Sequence, residues 1–350
     1  MIAAVSLLAY AGLLLTVGAP ALAAARWADR APRLAIAAWL TLTGSAVASM
    51  VLGGVALVVP TGRISGHLAG LLAACVMTVR ARYAHPGGAA LTGLGAALAL
   101  TVAARVTWCT GRALAHAWRS GQRHCRQLRA VGRADRRLGA VVVDYAELAA
   151  YCLPGARQPI VLTSAVIEAL DEAQLAAVLA HERAHRRGRH HLLVLLAGSL
   201  AAAFPRVTAF RSGLEQITRL VELRADDEAA QASPRLKVAE ALFALSVPAG
   251  SAPVPGPQQA PAPMVLAAGG SATGARIRRL LGAPAPLSRA RALAGAATLA
   301  AVIAFPFLAL TGPALTLIGA HYCPPHVLAA PAAQHLHPAA PLSPLTRHFP

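Results

Sequence analysis

The 350-residue chain is 56% hydrophobic and only 13% charged, with a mean hydropathy of +0.55; a soluble domain carries about 25% charged residues. That composition excludes an acidic disordered protein, a collagen and a small disulfide scaffold, and it indicates a membrane protein. The net charge of +18 is almost all arginine, since Lys237 is the only lysine among 32 basic residues, and arginines crowded beside apolar spans favour an anionic lipid bilayer over nucleic acid as the partner.

Four uncharged stretches are long enough to cross a bilayer, which takes about 20 residues: Ile2 to Ala25, Leu34 to Val59, Pro86 to Ala104 and Ala292 to Ala320. The first has no basic segment ahead of its apolar run and a second span follows at once, so it reads as an uncleaved anchor. Arg26, Arg30 and Arg33 crowd the first loop, and nine arginines against one acid, Asp135, run from Arg105 to Arg137. By the positive-inside rule these segments are cytoplasmic. The termini are then outside and residues 105–291 inside, with Arg63, Arg80 and Arg82 as a weaker contrary signal.

Between the spans, Ile64 to Val79 reads as an amphipathic helix at the membrane and residues 111–137 as a basic helix leaving it. Ala140 to Asp144 and Ile160 to Thr163 read as strands, separated by a Pro154-Gly155 turn. Thr163 or Ser164 can cap a short helix ending near Leu170, and Asp171 caps the next, Glu172 to about Gly188. His191 to Phe204 is a buried helix or one that dips into the membrane. A helix from about Ser212 to Gln231 follows, then a Pro/Ala/Gly-rich linker, Val247 to Gly274, and a short basic helix beginning RIRRLL at Arg276.

The chemistry lies in His181-Glu182-Arg183-Ala184-His185. Residues four apart share one face of a helix, so both imidazoles can bind one metal ion while Glu182 is placed to take a proton from a metal-bound water. Zinc takes nitrogen and carboxylate ligands and keeps one position open in catalytic sites. Downstream, Glu222 and Asp226 are again four apart on a helix. Glu222 is the candidate third ligand, and Asp226 can bond the far nitrogen of a ligating imidazole. The plain alternative for this segment is a solvated acidic helix.

The stretch YCLPGARQPIVLTSAVIEALDEAQLAAVLAHERAH, the ELRADDEAA helix and RIRRLL resemble the BlaR/MecR-like and HtpX-like membrane zinc metallopeptidases of gluzincin type, over about residues 140–282. The resemblance implies a zinc endopeptidase with one Zn2+ per chain held by His181, His185 and Glu222. It further implies Glu182 as catalytic base and Asp226 behind the ligands. The fold expected is a mainly α membrane protein with about four transmembrane helices and a cytoplasmic α+β zincin-like metallopeptidase domain between spans three and four. The penicillin-binding sensor domain of some relatives is not expected, because the 321–350 segment carries no Ser-x-x-Lys motif.

The expected organisation is a three-span membrane region (1–109), a basic juxtamembrane helix (110–139), the metallopeptidase core (140–246), a linker with a basic helix (247–291), the fourth span (292–320) and a His/Pro-rich external tail (321–350). The expected substrate is a protein or peptide, cytoplasmic or membrane-proximal; no nucleic-acid partner is expected, for want of an aromatic platform or reader motif. A non-catalytic membrane signalling scaffold of the same fold is the alternative, and a metal transporter using the tail histidines is weakened by the lack of ionisable residues inside the spans. Tyr145, His190 and His191 are candidates to stabilise an oxyanion, with a surface or membrane-interface role the plainer reading of the two histidines. Among five cysteines without a CxxC pair, Cys75 and Cys323 fall outside in this topology, where a disulfide is possible.

Overall fold

The computed structural model describes residues 1–58, 86–153, 159–246, 270–282 and 286–320. The Ile64 to Val79 helix, the Pro154-Gly155 turn, Cys75, Cys323, the tail and most of the Val247 to Gly274 linker lie outside those residues.

Helix α1 (Ile2–Ala23, with a π-helical stretch at Leu14–Gly18) is followed by a 3-10 turn at Arg26–Asp29 and by α2 (Pro32–Val58). Next, α3 (Pro86–Val131) is a single helix of 46 residues. At 1.5 Å per residue it is about 69 Å long, more than twice the ~30 Å of a bilayer's hydrocarbon core, so its arginine-rich second half continues beyond the apolar span. The third span and the basic helix read separately from the sequence are thus one element.

That helix stops at Val131, not at Arg137. Residues Gly132–Asp135 instead form strand β1, antiparallel to β2 (Ala140–Val143). Asp135 Oδ1 accepts the backbone N–H groups of Arg137 and Leu138, and Gly139 takes a φ of +66°, which closes the hairpin. Strands β3 (Ala150–Cys152) and β4 (Ile160–Thr163) complete a sheet of order β1-β2-β4-β3, in which β2 and β4 are parallel and β3 is an antiparallel edge. All four residues of β4 are buried.

The helices that follow are α4 (Ser164–Ala169), α5 (Glu172–Arg187), α6 (His190–Ala203), α7 (Thr208–Ala232), α8 (Arg235–Ser246), α9 (Gly270–Gly282) and α10 (Arg289–Ala320). Asp171 caps α5 with a reciprocal box to Gln174. Helix α9 begins six residues before Arg276, inside the stretch read as linker.

Four of these helices, α1, α2, α3 and α10, are long and apolar enough to cross a membrane. Helices α2 and α3 touch at glycines: a Cβ on Gly54 would lie 2.7 Å from the carbonyl oxygen of Gly95, so only glycine admits this approach. Val302 of α10 accepts hydrogen bonds from Tyr10 and Ser45. The α6–α7 hairpin packs along the first half of α2, where Ile36, Trp39 and Leu42 share one buried cluster with Ala197, Ala209, Ile217 and Leu220. On its other side α6 meets α3: Arg105 Nε donates to the carbonyl of Ala203, and Thr110 and Ser199 share a hydrogen bond of 3.0 Å. The helix read as buried or dipping is therefore packed between α3, α7 and α2.

Candidate metal centre

Helix α5 is fixed on one side by the sheet and on the other by α7. Val178 and Leu179 join Ile160, Leu162 and Ala140 in one apolar cluster, while Ala177 and Ala180 meet Ala229, and these small side chains let the two helices come close. Arg183 ties α5 to the β1–β2 hairpin by donating to the carbonyl of Leu138 (3.0 Å). The free faces of α5 and α7 then point at each other with His181, Glu182 and His185 on one and Glu222 and Asp226 on the other.

The three expected ligands converge. His181 Nε2 lies 3.1 Å from His185 Nε2 and 3.6 Å from Glu222 Oε2, and His185 Nε2 lies 3.4 Å from Glu222 Oε1. Two donors about 2.0–2.1 Å from one tetrahedral zinc would stand roughly 3.3 Å apart, so the spacing fits that ion. Two imidazoles and one carboxylate also form a donor set that leaves a coordination position open. Among the described residues, this group could hold a metal ion.

Each imidazole is oriented from behind. His181 Nδ1 is 3.1 Å from Asp226 Oδ1, a contact in which Asp226 accepts the Nδ1 proton and Nε2 is the nitrogen left to face a metal. His185 Nδ1 lies 3.0 Å from His190 Nδ1, a contact that the sequence reading did not foresee. His190 is only 2% exposed, which overturns the surface role weighed for it; it stands behind His185. Gly188 makes room, because a Cβ there would lie 2.3 Å from His190 Nε2. His191 is half-buried, and Tyr145 is exposed.

Arg276, read only as part of a basic helix, is the other residue whose role the sequence did not reveal. From α9 its Nε and Nη2 donate to the two oxygens of Asp226 (2.8 and 2.7 Å), and its Nη1 reaches Glu222 Oε2 at 3.1 Å. Next to it Arg279 grips both oxygens of Asp227. The signal was present as ARIRR opposite ADD, but nothing in the sequence sets the register of one helix on the other.

The electrostatics follow from burial among these charges. Burial opposes charge on His181, but its bonds to Asp226 and Glu222 outweigh that and push it up to about 10. Burial and the neighbouring His181 push His185 down to about 4. Glu222 is held down at about 2 because its bond to His181 and the fields of His185 and Arg276 outweigh burial. For Glu182 burial prevails: with the field of Glu222 it pushes the carboxyl up to about 7, against the fields of His181 and Arg276 and the backbone N–H of Cys152 on β3, which it accepts. A carboxyl of near-neutral affinity for protons is therefore held between the His181–His185–Glu222 cluster and the edge strand.

The sequence pattern of Peptidase family M48 matches residues 117–297, just over half of the chain and all of β1–β4 and α4–α9. No curated protein and no solved structure matches the chain. The chain belongs to peptidase family M48, and membership implies metallopeptidase activity.

Proposed function

We propose that the chain is an integral membrane zinc endopeptidase that hydrolyses peptide bonds of cytoplasmic or membrane-proximal proteins. One observation carries the reading: His181, His185 and Glu222 bring a ligand atom each within 4.8 Å of one another, with Glu182 buried beside them. Zinc held there supplies the Lewis acidity that polarises a carbonyl and acidifies water.

The remaining work falls to the chain. Asp226 and His190 hold the ring nitrogens of His181 and His185 in the orientation a metal needs. Glu182 takes a proton on its carboxylate from the attacking water and returns it to the leaving amine, its burial beside the cluster keeping both transfers local. Strand β3, at the sheet's edge and packed on α5, offers an extended substrate segment backbone groups with which to pair.

The proposed topology places the termini outside and residues 105–291 in the cytoplasm. In its support, Arg279 Nε donates to the carbonyl of Asp29 in the loop after α1, and Gly295 lies against Leu34, so the first loop, the start of α10 and the catalytic helices share one end of the bundle. Arg26, Arg30, Arg33, Arg289 and Arg291 collect there.

The test is Glu182→Gln in the full-length protein. It should retain metal and lose roughly 10²–10⁴-fold in peptide turnover, the usual share of a general base. Turnover like the wild type's would refute the assignment.

A further inference from the structure

A cavity of about 520 Å³ opens directly beside the metal cluster, within the size range of small-ligand sites. Its walls are the loop after α1, one face of α7 and one face of α9. Glu222 and Arg276 are part of its lining, and Arg26, Arg30, Arg219 and Arg279 add four more cations. Leu223, Ala272 and Ala275 make much of the rest apolar.

The cations are not equivalent. Arg219 is paired with Asp29 at 2.6 Å, Arg279 with Asp227, and Arg276 with Asp226 and Glu222. Arg26 and Arg30 are exposed and have no carboxylate partner among the described residues, which include every acid of the chain. Glu215, also on the lining, is the one acid there without a partner, so the unpaired charge in the cavity is positive.

Charge and placement set what can fill it. Arg219 stands on the same helix as Glu222, and its bond to Asp29 brings the loop that carries Arg26 and Arg30 against the same cavity. We infer that this cavity is the subsite for an acidic residue of the substrate, close to the bond cleaved at the His181–His185–Glu222 cluster. The inference rests on the peptidase reading above. A peptide is favoured over a lipid headgroup because Glu222, one of the three proposed ligands, is itself part of the lining.

The test uses the full-length protein in detergent, wild type against the double variant Arg26→Gln, Arg30→Gln, with a peptide library whose cleavage products are identified by mass spectrometry. Wild type should enrich Asp and Glu roughly fivefold at one fixed position near the cut, as two solvent-accessible charge pairs would give, and the double variant should lose that enrichment. Cleavage without acidic enrichment, or enrichment that survives in the double variant, overturns the subsite while leaving the peptidase reading standing.

Absence of any cleavage counts against the peptidase reading alone. The subsite is then scored on the Glu182→Gln protein by fluorescence anisotropy, with a labelled acidic dodecapeptide against its Gln-substituted copy. Roughly fivefold tighter binding of the acidic peptide, weakened by salt, supports the subsite; equal affinities overturn it. Loss of the wild-type preference on adding phosphatidylglycerol to the micelles would assign the cavity to a headgroup and also overturn the proposal.

Discussion

Arg276 holds Asp226 by two parallel hydrogen bonds, Nε to Oδ2 at 2.8 Å and Nη2 to Oδ1 at 2.7 Å, and Asp226 in turn holds His181. The proposed metal ligands on α5 and α7 are thereby tied to α9, which leads within a few residues into the apolar helix α10. Replacing Arg276 with Gln should weaken zinc binding by roughly 10–100-fold, the usual effect of losing a partner behind a ligand. Lys restores the charge without the planar fork, so Arg276→Lys should fall between the two. Zinc affinity measured by chelator competition checks this; unchanged affinity in Arg276→Gln would contradict it.

Behind the other imidazole the space is set by a glycine. Gly188→Ala puts a methyl group where His190 Nε2 now lies, so His190 must move and His185 loses the partner on its Nδ1. Zinc affinity should fall roughly tenfold in Gly188→Ala and similarly in His190→Leu. Retention of wild-type affinity in both would show that His185 needs no support from this side.

Much of this site was legible in the sequence because it depends on local spacing. The i, i+4 pairs His181/His185 and Glu222/Asp226 need only a helix to share a face, and Asp171 three residues before Gln174 marks where α5 starts. Strand β1 was not legible: Gly-Arg-Ala-Asp has no strand propensity, and it becomes a strand only because β2 lies beside it. The parts played by Arg276 and His190 were hidden for a related reason, since each depends on the docking of one helix against another. The chain's abundance of arginine made an arginine in a basic helix unremarkable on sequence grounds.

The close contact of α2 and α3 depends on Gly54. A Cβ there would meet the Gly95 carbonyl oxygen at 2.7 Å and the Ala99 nitrogen at 2.9 Å, both backbone atoms that cannot move aside cheaply. Gly54→Ala should destabilise the protein by about 1–3 kcal/mol. Gly12→Ala, where a Cβ meets nothing within 4 Å, is the matched control. Thermal denaturation in detergent should separate the two, and equal melting would contradict this helix packing.

Cys152 reports on Glu182 from the strand side. Burial, reinforced by the Glu182 carboxylate and opposed by Arg186, pushes its thiol up to about 11. A raised value means that the reactive thiolate is lost as pH falls below 11, so at pH 8 only about one molecule in a thousand is a thiolate. Alkylation of Cys152 by iodoacetamide should be slow at pH 8 and rise about tenfold per pH unit toward pH 11. Glu182→Gln removes one raising influence and should speed alkylation at pH 9. Fast labelling at pH 8, followed by mass spectrometry, would contradict the placement of Cys152 beside a buried carboxylate.

The most direct test of the central claim is the zinc content per chain of the detergent-purified wild type beside Glu222→Ala, with folding verified for both. The account predicts about one zinc per wild-type chain and much less in the variant, since the carboxylate 3.4–3.6 Å from both imidazoles is the proposed third ligand. A folded wild type that takes up no zinc when the ion is supplied, or a Glu222→Ala protein that holds it equally well, would contradict the account.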